Sequence, residues 1–225
     1  MPTGSITPTT APPFQALTDQ GFEIHYVSHA AAILDHDFPD ARGDIERVLS
    51  EMSLPITEII GSGGGETLFT QRLRRALAEL GWRKHEFIVQ KVIDGTPKES
   101  TSHEVDHVRR YQAGVVACEI EWNNKDPFFD RDLENFKRLH AEGAISIGVL
   151  ITRGASLQDA LWELVMRFAR ERGITDFPSL AAAGVTPTPK QMANIRRRVE
   201  RVRRFRRQRA TRETERGPRA ERARG

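Results

Sequence analysis

The sequence contains a single cysteine, Cys118, and no apolar segment long enough to cross a membrane. One cysteine excludes an internal disulfide framework and fits a reducing compartment. The chain also lacks the pattern of a secretory signal, and a spanning helix needs about 20 apolar residues. We therefore expect a soluble, cytoplasmic protein with no membrane partner.

Internal repeats are absent, and the length of 225 residues suits one good-sized domain or two small ones. The glycine-rich stretch GSGGGE (61–66) lacks the Gly-Lys-Ser/Thr ending of a P-loop. We therefore expect no nucleotide cofactor. Backbone N–H groups of this glycine run can still bind a phosphate.

Lysine is absent from residues 196–225, which contain fourteen arginines and four glutamates and so carry a charge of +10. The whole chain carries +3, which leaves −7 for residues 1–195. The high isoelectric point therefore belongs to the C-terminal segment, and does not by itself indicate a DNA-binding surface on the fold. Low complexity predicts a disordered tail over 196–225. The tail either binds DNA electrostatically or is a reading-frame artefact that leaves the chain truncated.

Hydrophobic periodicity predicts a folded domain over 21–195, preceded by a flexible leader over 1–20 that is rich in proline and threonine. Upstream of the core, the pattern predicts a strand over 22–27, a helix over 29–34 capped by Ser28, and a helix over 40–53. The predicted core comprises a helix over 66–80, strands over 85–93, 103–111 and 115–122, a helix over 130–141 and a strand over 144–152. A further helix is expected around 157–168.

The core order, α-β-β-β-α-β over 66–152, predicts an α/β fold with a mixed sheet. Short loops join the first three strands, so these should pair antiparallel. A helical crossover precedes the last strand, which should therefore pair parallel to its neighbour.

Two glutamates, Glu119 and Glu121, interrupt the apolar run VVACEIEW (115–122) at alternate positions. In a strand, both point to one face, roughly 6.5 Å apart. The opposite face is apolar and carries Val116, Cys118, Ile120 and Trp122. Two like charges on one face cost stability unless water, a basic side chain or a metal ion lies beside them.

Asp106 lies on the preceding strand, and neighbouring strands are about 4.8 Å apart. Asp106, Glu119 and Glu121 can therefore converge on one side of the sheet. Three carboxylates without histidine or cysteine are hard oxygen ligands that suit Mg²⁺. The alternative is that these acids form an ordinary solvated face.

Polar residues follow the acidic pair in NNKDPFFDR (123–131). Asparagine can read base edges, and lysine and arginine hold phosphates. The candidates for DNA contact are Asn123, Asn124, Lys125 and Arg131. An acidic metal cluster beside such residues suits cleavage of a phosphodiester backbone.

The run EIEWNNKDPFFDRDLENFKRLHAEGAISIGVLITRG (119–154) resembles the BglII-like type II restriction endonucleases, the group around BglII, BstYI and BamHI. FEIHYVSHAAAILD (22–35) is similar to the opening of the same family, and the resemblance covers roughly 22–175. This group belongs to the PD-(D/E)XK nucleases, whose common core is α-β-β-β-α-β flanked by helices. The resemblance implies a homodimer that cuts both strands of a palindromic site in double-stranded DNA with Mg²⁺.

By match to the family signature, Asp106 and Glu119 would be metal ligands, with the backbone carbonyl of Ile120 as a third. Glu121 takes the position that is lysine in the commonest form of the signature. At this position the Glu121 carboxylate would accept a proton from the attacking water or hold another ion. Glu66 would either be aimed at the metal or simply be an acid at the start of a helix.

Two other functions fit the same residues. The chain can be a DNA-binding protein without catalysis, in which an incomplete C-terminal region prevents assembly. It can also be a repair-type nuclease of the same superfamily that cuts without a fixed sequence. His103 and His107 carry no special meaning in a strand, and Cys118 on the apolar face is expected to be a packed thiol.

Overall fold

The computed structural model describes residues 13–61, 66–122 and 126–215. The chain divides into two compact units, one comprising Met1–Leu54 and Glu66–Glu163, the other Pro55–Gly65 and Leu164–Gly225. The sequence instead predicts one domain over 21–195. Within the described ranges, no helix combines the length and the apolar character needed to cross a membrane.

The first unit begins with helices α1 (Gln15–Asp19), α2 (Ala30–His36) and α3 (Pro39–Ser50). Leu17 of α1 is fully buried, so residues 15–19 form part of the fold and not of a leader, while residues 1–12 lie outside the description. The strand predicted over 22–27 is not formed. Phe22 and Ile24 pack against the core without strand pairing, whereas Tyr26 and Val27 are exposed.

The core of the first unit follows in the predicted order. Its elements are α5 (Leu68–Glu79), β1 (Arg83–Ile93), β2 (Thr96–Tyr111), β3 (Gly114–Glu121), α6 (Asp126–Ala141) and β4 (Ile147–Thr152), where α4 belongs to the second unit. The sheet order is β1-β2-β3-β4. The pairs β1–β2 and β2–β3 are antiparallel and β3–β4 is parallel, which confirms the predicted mixed sheet.

The β1–β2 hairpin is longer than the sequence pattern predicts. β2 begins at Thr96, inside the segment expected to be a polar connection, and β3 pairs only with residues 107–111 of β2. Asp94 and Gly95 join the strands with φ values of 51° and 77°, which is the Asp-Gly turn typical of two-residue hairpins. The far part of the hairpin therefore extends beyond the rest of the sheet as a two-stranded arm.

Side chains alternate along β3 between two apolar cores. Val116 and Cys118 belong to the larger core, formed with the N-terminal helices and α5. Ala117 belongs to the smaller core, with Phe136 and Leu139 of α6. This alternation confirms that the apolar face of β3 lies opposite the face that carries the two glutamates.

Asp44 of α3 joins that helix to the strands on the side of the larger core. Its carboxylate accepts hydrogen bonds from Trp82 Nε1 at 2.9 Å and from the Tyr111 hydroxyl at 3.1 Å, and it forms an ion pair with Arg109. Because Asp44 satisfies several donors at once, the Arg109 guanidinium is held on the α3 side of the sheet.

Gly148 of β4 lets α6 lie directly on the sheet. A Cβ atom at this position would lie 2.5 Å from Phe136 Cδ2 and Cγ, closer than real contacts permit. We expect Gly148→Ala to lower the free energy of unfolding by about 2 kcal/mol through overpacking, measured by urea denaturation. The control is Gly43→Ala in α3, where a Cβ meets nothing within 4 Å. Alanine there should stabilise the helix by about 0.5–1 kcal/mol; equal effects at both sites would contradict the close packing of α6.

The second unit is helical in its described part. It contains α4 (Ile56–Gly61), the later turns of α7 (Ala155–Glu171), α8 (Phe177–Ala182) and α9 (Pro189–Glu215). The predicted tail from 196 is therefore helical as far as Glu215, and residues 216–225 lie outside the description. Arginine has a high helix propensity, which offsets the low hydrophobicity on which the prediction of disorder depended.

Candidate active site

Asp106 and Glu119 face each other across β2 and β3. His107 pairs with Cys118, which places Asp106 opposite Glu119, and the Asp106 amide donates a hydrogen bond to Glu119 Oε1 at 3.2 Å. On its other side, β2 forms a bulge against β1. Arg83 pairs with Val108 and His85 with Val105, so one residue of β1 lies opposite two residues of β2. Such a bulge bends the strand and redirects side chains, and bulges are frequent beside active sites.

Glu119 has a strongly perturbed acidity. Burial raises its pKa to about 8, the negative charge of Asp106 adds to the shift, and the hydrogen bond from the Asp106 amide opposes it. A carboxyl group with such a pKa lacks a compensating positive charge. A cation beside Glu119 would therefore favour its ionised form.

Glu121 meets a fourth acid, Asp132 of α6, and both are buried, with 6% and 3% of their surfaces exposed. Arg131 Nη2 lies 2.9 Å from Asp132 Oδ1 and 3.7 Å from Glu121 Oε1. Burial raises the pKa of Glu121 to about 7, Asp132 raises it further, and Arg131 opposes the shift. Two carboxyl groups can hydrogen-bond to each other only when one carries a proton, so this pair is suited to hold one.

Two buried oxygens of this pair, Glu121 Oε2 and Asp132 Oδ2, have no hydrogen-bond partner in the part of the chain that the structure describes. The sequence prediction did not include Asp132. A signal for it exists, because Asp132, Phe136 and Leu139 follow the i, i+4, i+7 spacing of one helical face. An acid on the apolar face of a predicted helix is unusual, and here that face packs on the strand that carries Glu121.

Lys84 is a second residue absent from the prediction. Its Nζ lies 2.6 Å from Glu104 Oε1 and 3.7 Å from Asp106 Oδ1, and it stands at the bulge between β1 and β2. The bulge cannot be read from residue spacing, since it depends on the pairing of two strands. Lys84 therefore supplies an exposed positive charge beside Asp106.

Glu66 lies before the N-cap of α5, Thr67, and not inside the helix as predicted. Its Oε2 is 3.1 Å from Arg74 Nη2. The negative charge of Glu66 also interacts electrostatically with the buried His107. The structure thus places Glu66 in an ion pair with an arginine of α5. A role at a metal ion stays a prediction.

The remaining predicted residues have different outcomes. Ile120 pairs with Ile151 of β4, and its side chain packs against the larger core. Asn123, Asn124 and Lys125 lie outside the described residues. The predicted DNA-contact role of these three residues stays a prediction.

The donor set around Glu119 fits a hard divalent cation, because it consists of carboxylate oxygens that are partly buried and short of positive charge. As arranged, however, no three histidine, cysteine, aspartate or glutamate residues among those described form a group that could hold a metal ion. The acids therefore lie in one region, within β2, near the end of β3 and on α6, without forming a complete set of ligands.

Comparison with known proteins identifies a family for this arrangement. The family model of restriction endonuclease BglII/BglIII matches residues 22–210, a range that includes the whole core and most of α9. No curated protein matches the chain. Since the match spans most of the sequence and the core has the α-β-β-β-α-β order, the chain belongs to the BglII/BglIII family of restriction endonucleases.

Proposed function

We propose that this nuclease is a type II restriction endonuclease that hydrolyses phosphodiester bonds in double-stranded DNA at a specific palindromic site, with Mg²⁺ as cofactor. The observation that carries the proposal is the group of acids around Glu119, in which the Asp106 amide donates to Glu119 and the neighbouring Glu121 and Asp132 are buried. Family membership supplies DNA as the partner. We also propose a cytoplasmic location.

In this proposal Asp106, Glu119 and the carbonyl of Ile120 hold the ion. Bound Mg²⁺ would supply Lewis-acid polarisation of the phosphoryl group and stabilise charge on the leaving 3′ oxygen. Glu121 accepts a proton from the attacking water, and its pKa of about 7 suits a base near neutral pH. Arg131 holds Asp132 beside Glu121, which keeps the proton-accepting carboxylate oriented.

Recognition of DNA requires residues beyond this acidic group. We assign base contacts to Asn123 and Asn124 and a phosphate contact to Lys125, because all three lie within four residues after Glu121 in sequence. We assign a second phosphate contact to Arg131, whose guanidinium lies beside Glu121. A palindromic site has two-fold symmetry, and a homodimer matches it. Size-exclusion chromatography with light scattering tests the dimer, which should have twice the mass of the chain.

Cleavage of plasmid DNA tests the proposed function directly. We expect discrete fragments with Mg²⁺ and none with EDTA, and sequencing of the fragment ends should show one palindromic site. Mobility shifts without cuts would favour the non-catalytic DNA-binding protein. Cuts without a fixed sequence would favour a repair-type nuclease.

Asp132→Asn tests the proton-accepting role of Glu121. Because Asp132 raises the pKa of Glu121, the substitution should lower that pKa and move the acidic limb of the pH profile of kcat/KM to lower pH. On that limb, a shift of one unit gives about a tenfold higher relative rate. The matched control is Glu134→Gln on the exposed side of the same helix, which should leave the limb in place. An unmoved limb in Asp132→Asn would remove Glu121 as the base.

A further inference from the structure

A basic depression of about 340 Å³ lies on the first unit where β1 begins and β2 ends. Its five basic lining residues are Arg83, Lys84, His85, Arg109 and Arg110. Such a concentration of positive charge on two adjacent strands is unfavourable unless acids or a bound anion compensate it. The distribution of acidic partners among these residues therefore decides what the depression can bind.

Two of the five basic residues already have acidic partners. Arg109 pairs with Asp44 on the α3 side of the sheet, and Lys84 pairs with Glu104 and Asp106. Their charges are therefore largely compensated within the fold.

The other three residues have no acidic partner among those that the structure describes. Within the described ranges, neither Arg83 nor Arg110 forms an ion pair with an acid; Arg83 donates only to the backbone carbonyls of Ala78 and Trp82. Arg110 Nη2 instead lies 3.2 Å from His85 Nε2, so two basic side chains contact each other. His85 is held by an edge-on contact with Phe87, at 4.6 Å between ring centroids. The cluster formed by Arg83, His85 and Arg110 is thus partly ordered in advance for an anion.

This basic cluster lies on the same face of the sheet as the acids of β3. Arg110 pairs with Val115 and Val108 with Ala117, and directly paired residues point to the same side. Ala117 lies on the same face as Glu119 and Glu121, because the three residues occupy every second position of β3. On this face α6 packs on β3 and β4. Arg110 of β2 is exposed.

We infer that the Arg83–His85–Arg110 cluster binds a backbone phosphate of duplex DNA, a few nucleotides from the phosphate that is cleaved. Arg110 lies four positions after Asp106, roughly 13 Å along a strand, and each DNA strand advances about 3.4 Å per nucleotide. The paired N–H donors of an arginine guanidinium match the spacing of two phosphate oxygens. The inference rests on the proposed function for the identity of the anion.

Salt-dependent binding of the full chain to a random-sequence duplex tests the inference, measured in EDTA by fluorescence anisotropy between about 50 and 200 mM NaCl. Loss of one phosphate contact should reduce the slope of log K against log salt by about 0.9. Arg110→Ala should show this reduction and an affinity several-fold lower, whereas Arg110→Lys should restore most of the slope. The matched control is Arg75→Ala on α5, which removes the same charge from an exposed arginine that donates a hydrogen bond to the neutral Gln71.

The outcomes separate this inference from the proposed function. A smaller slope in Arg110→Ala alone supports the cluster, whether or not Mg²⁺ permits cleavage by the unsubstituted protein. Equal slopes for Arg110→Ala, Arg75→Ala and the unsubstituted protein would overturn it, even if that protein cuts DNA. Binding that does not depend on salt would overturn it too. Circular dichroism at the assay temperature establishes that each variant is folded.

Discussion

Glu119→Gln is expected to abolish DNA cleavage, with a loss of about 10³-fold or more, while DNA binding is kept or strengthened. Each factor of ten corresponds to 1.36 kcal/mol, and stabilisation of transition-state charge by a bound metal ion is worth several kcal/mol. Glutamine keeps the shape of the side chain and removes the negative ligand. Binding is kept because a negative charge near the DNA phosphates is lost.

The measurement is single-turnover cleavage of plasmid DNA with Mg²⁺, beside a binding assay on the same duplex. Asp106→Asn should behave similarly, because Asp106 lies opposite Glu119 across the strand pair. Glu134→Gln is the matched control: Glu134 is an α6 residue that pairs with Lys137 and Arg138, and its substitution should leave the rate within about twofold. Full cleavage by Glu119→Gln would remove the acids of β3 from the chemistry.

The part of this site that the sequence predicts is the part set by local geometry. Alternation along β3 places Glu119 and Glu121 on one face whatever their surroundings. Asp106 follows because a short turn, with Gly114 at φ 147°, joins β2 to β3 and limits their register. Fold class follows from the same local patterns, since element order and loop length constrain strand direction.

Features that depend on distant pairing are not predicted. The bulge at Asp106 exists because β1 and β2 differ by one residue in their pairing, and this difference places Lys84 beside Asp106. Asp132 approaches Glu121 because α6 lies close to the sheet at Gly148, which has no side chain to hold it away. The apolar pattern of residues 22–27 predicts a strand, yet Phe22 and Ile24 are partly buried against the larger core without strand pairing.

A second large effect concerns stability in the absence of metal, which we expect to fall as pH rises from about 5 to 8. The folded-state pKa of Glu119 is about 8, above its ordinary value of 4.5. Between these values the folded state retains a proton that the unfolded state has released, so rising pH favours unfolding. Glu121, with a pKa of about 7, contributes in the lower part of the same window.

Glu119→Gln removes this penalty, so its Tm in EDTA should exceed that of the unsubstituted protein at pH 8 and equal it near pH 5. At pH 8 the difference between a pKa of 4.5 in the unfolded state and of about 8 in the folded state corresponds to about 4 kcal/mol. Partial solvent access reduces this penalty, so we expect about 3 kcal/mol. This difference amounts to roughly 6–12 °C for a domain of this size, which differential scanning calorimetry resolves.

Mg²⁺ should remove most of the difference. At pH 8 it should raise the Tm of the unsubstituted protein, because it binds the folded state with Glu119 ionised, and should raise that of Glu119→Gln less. Glu134→Gln should not gain stability at high pH, since its ion pairs lower the pKa of Glu134. Equal Tm values for Glu119→Gln and the unsubstituted protein at pH 8 would contradict the buried, uncompensated charge at Glu119, and with it the reason to place a cation there.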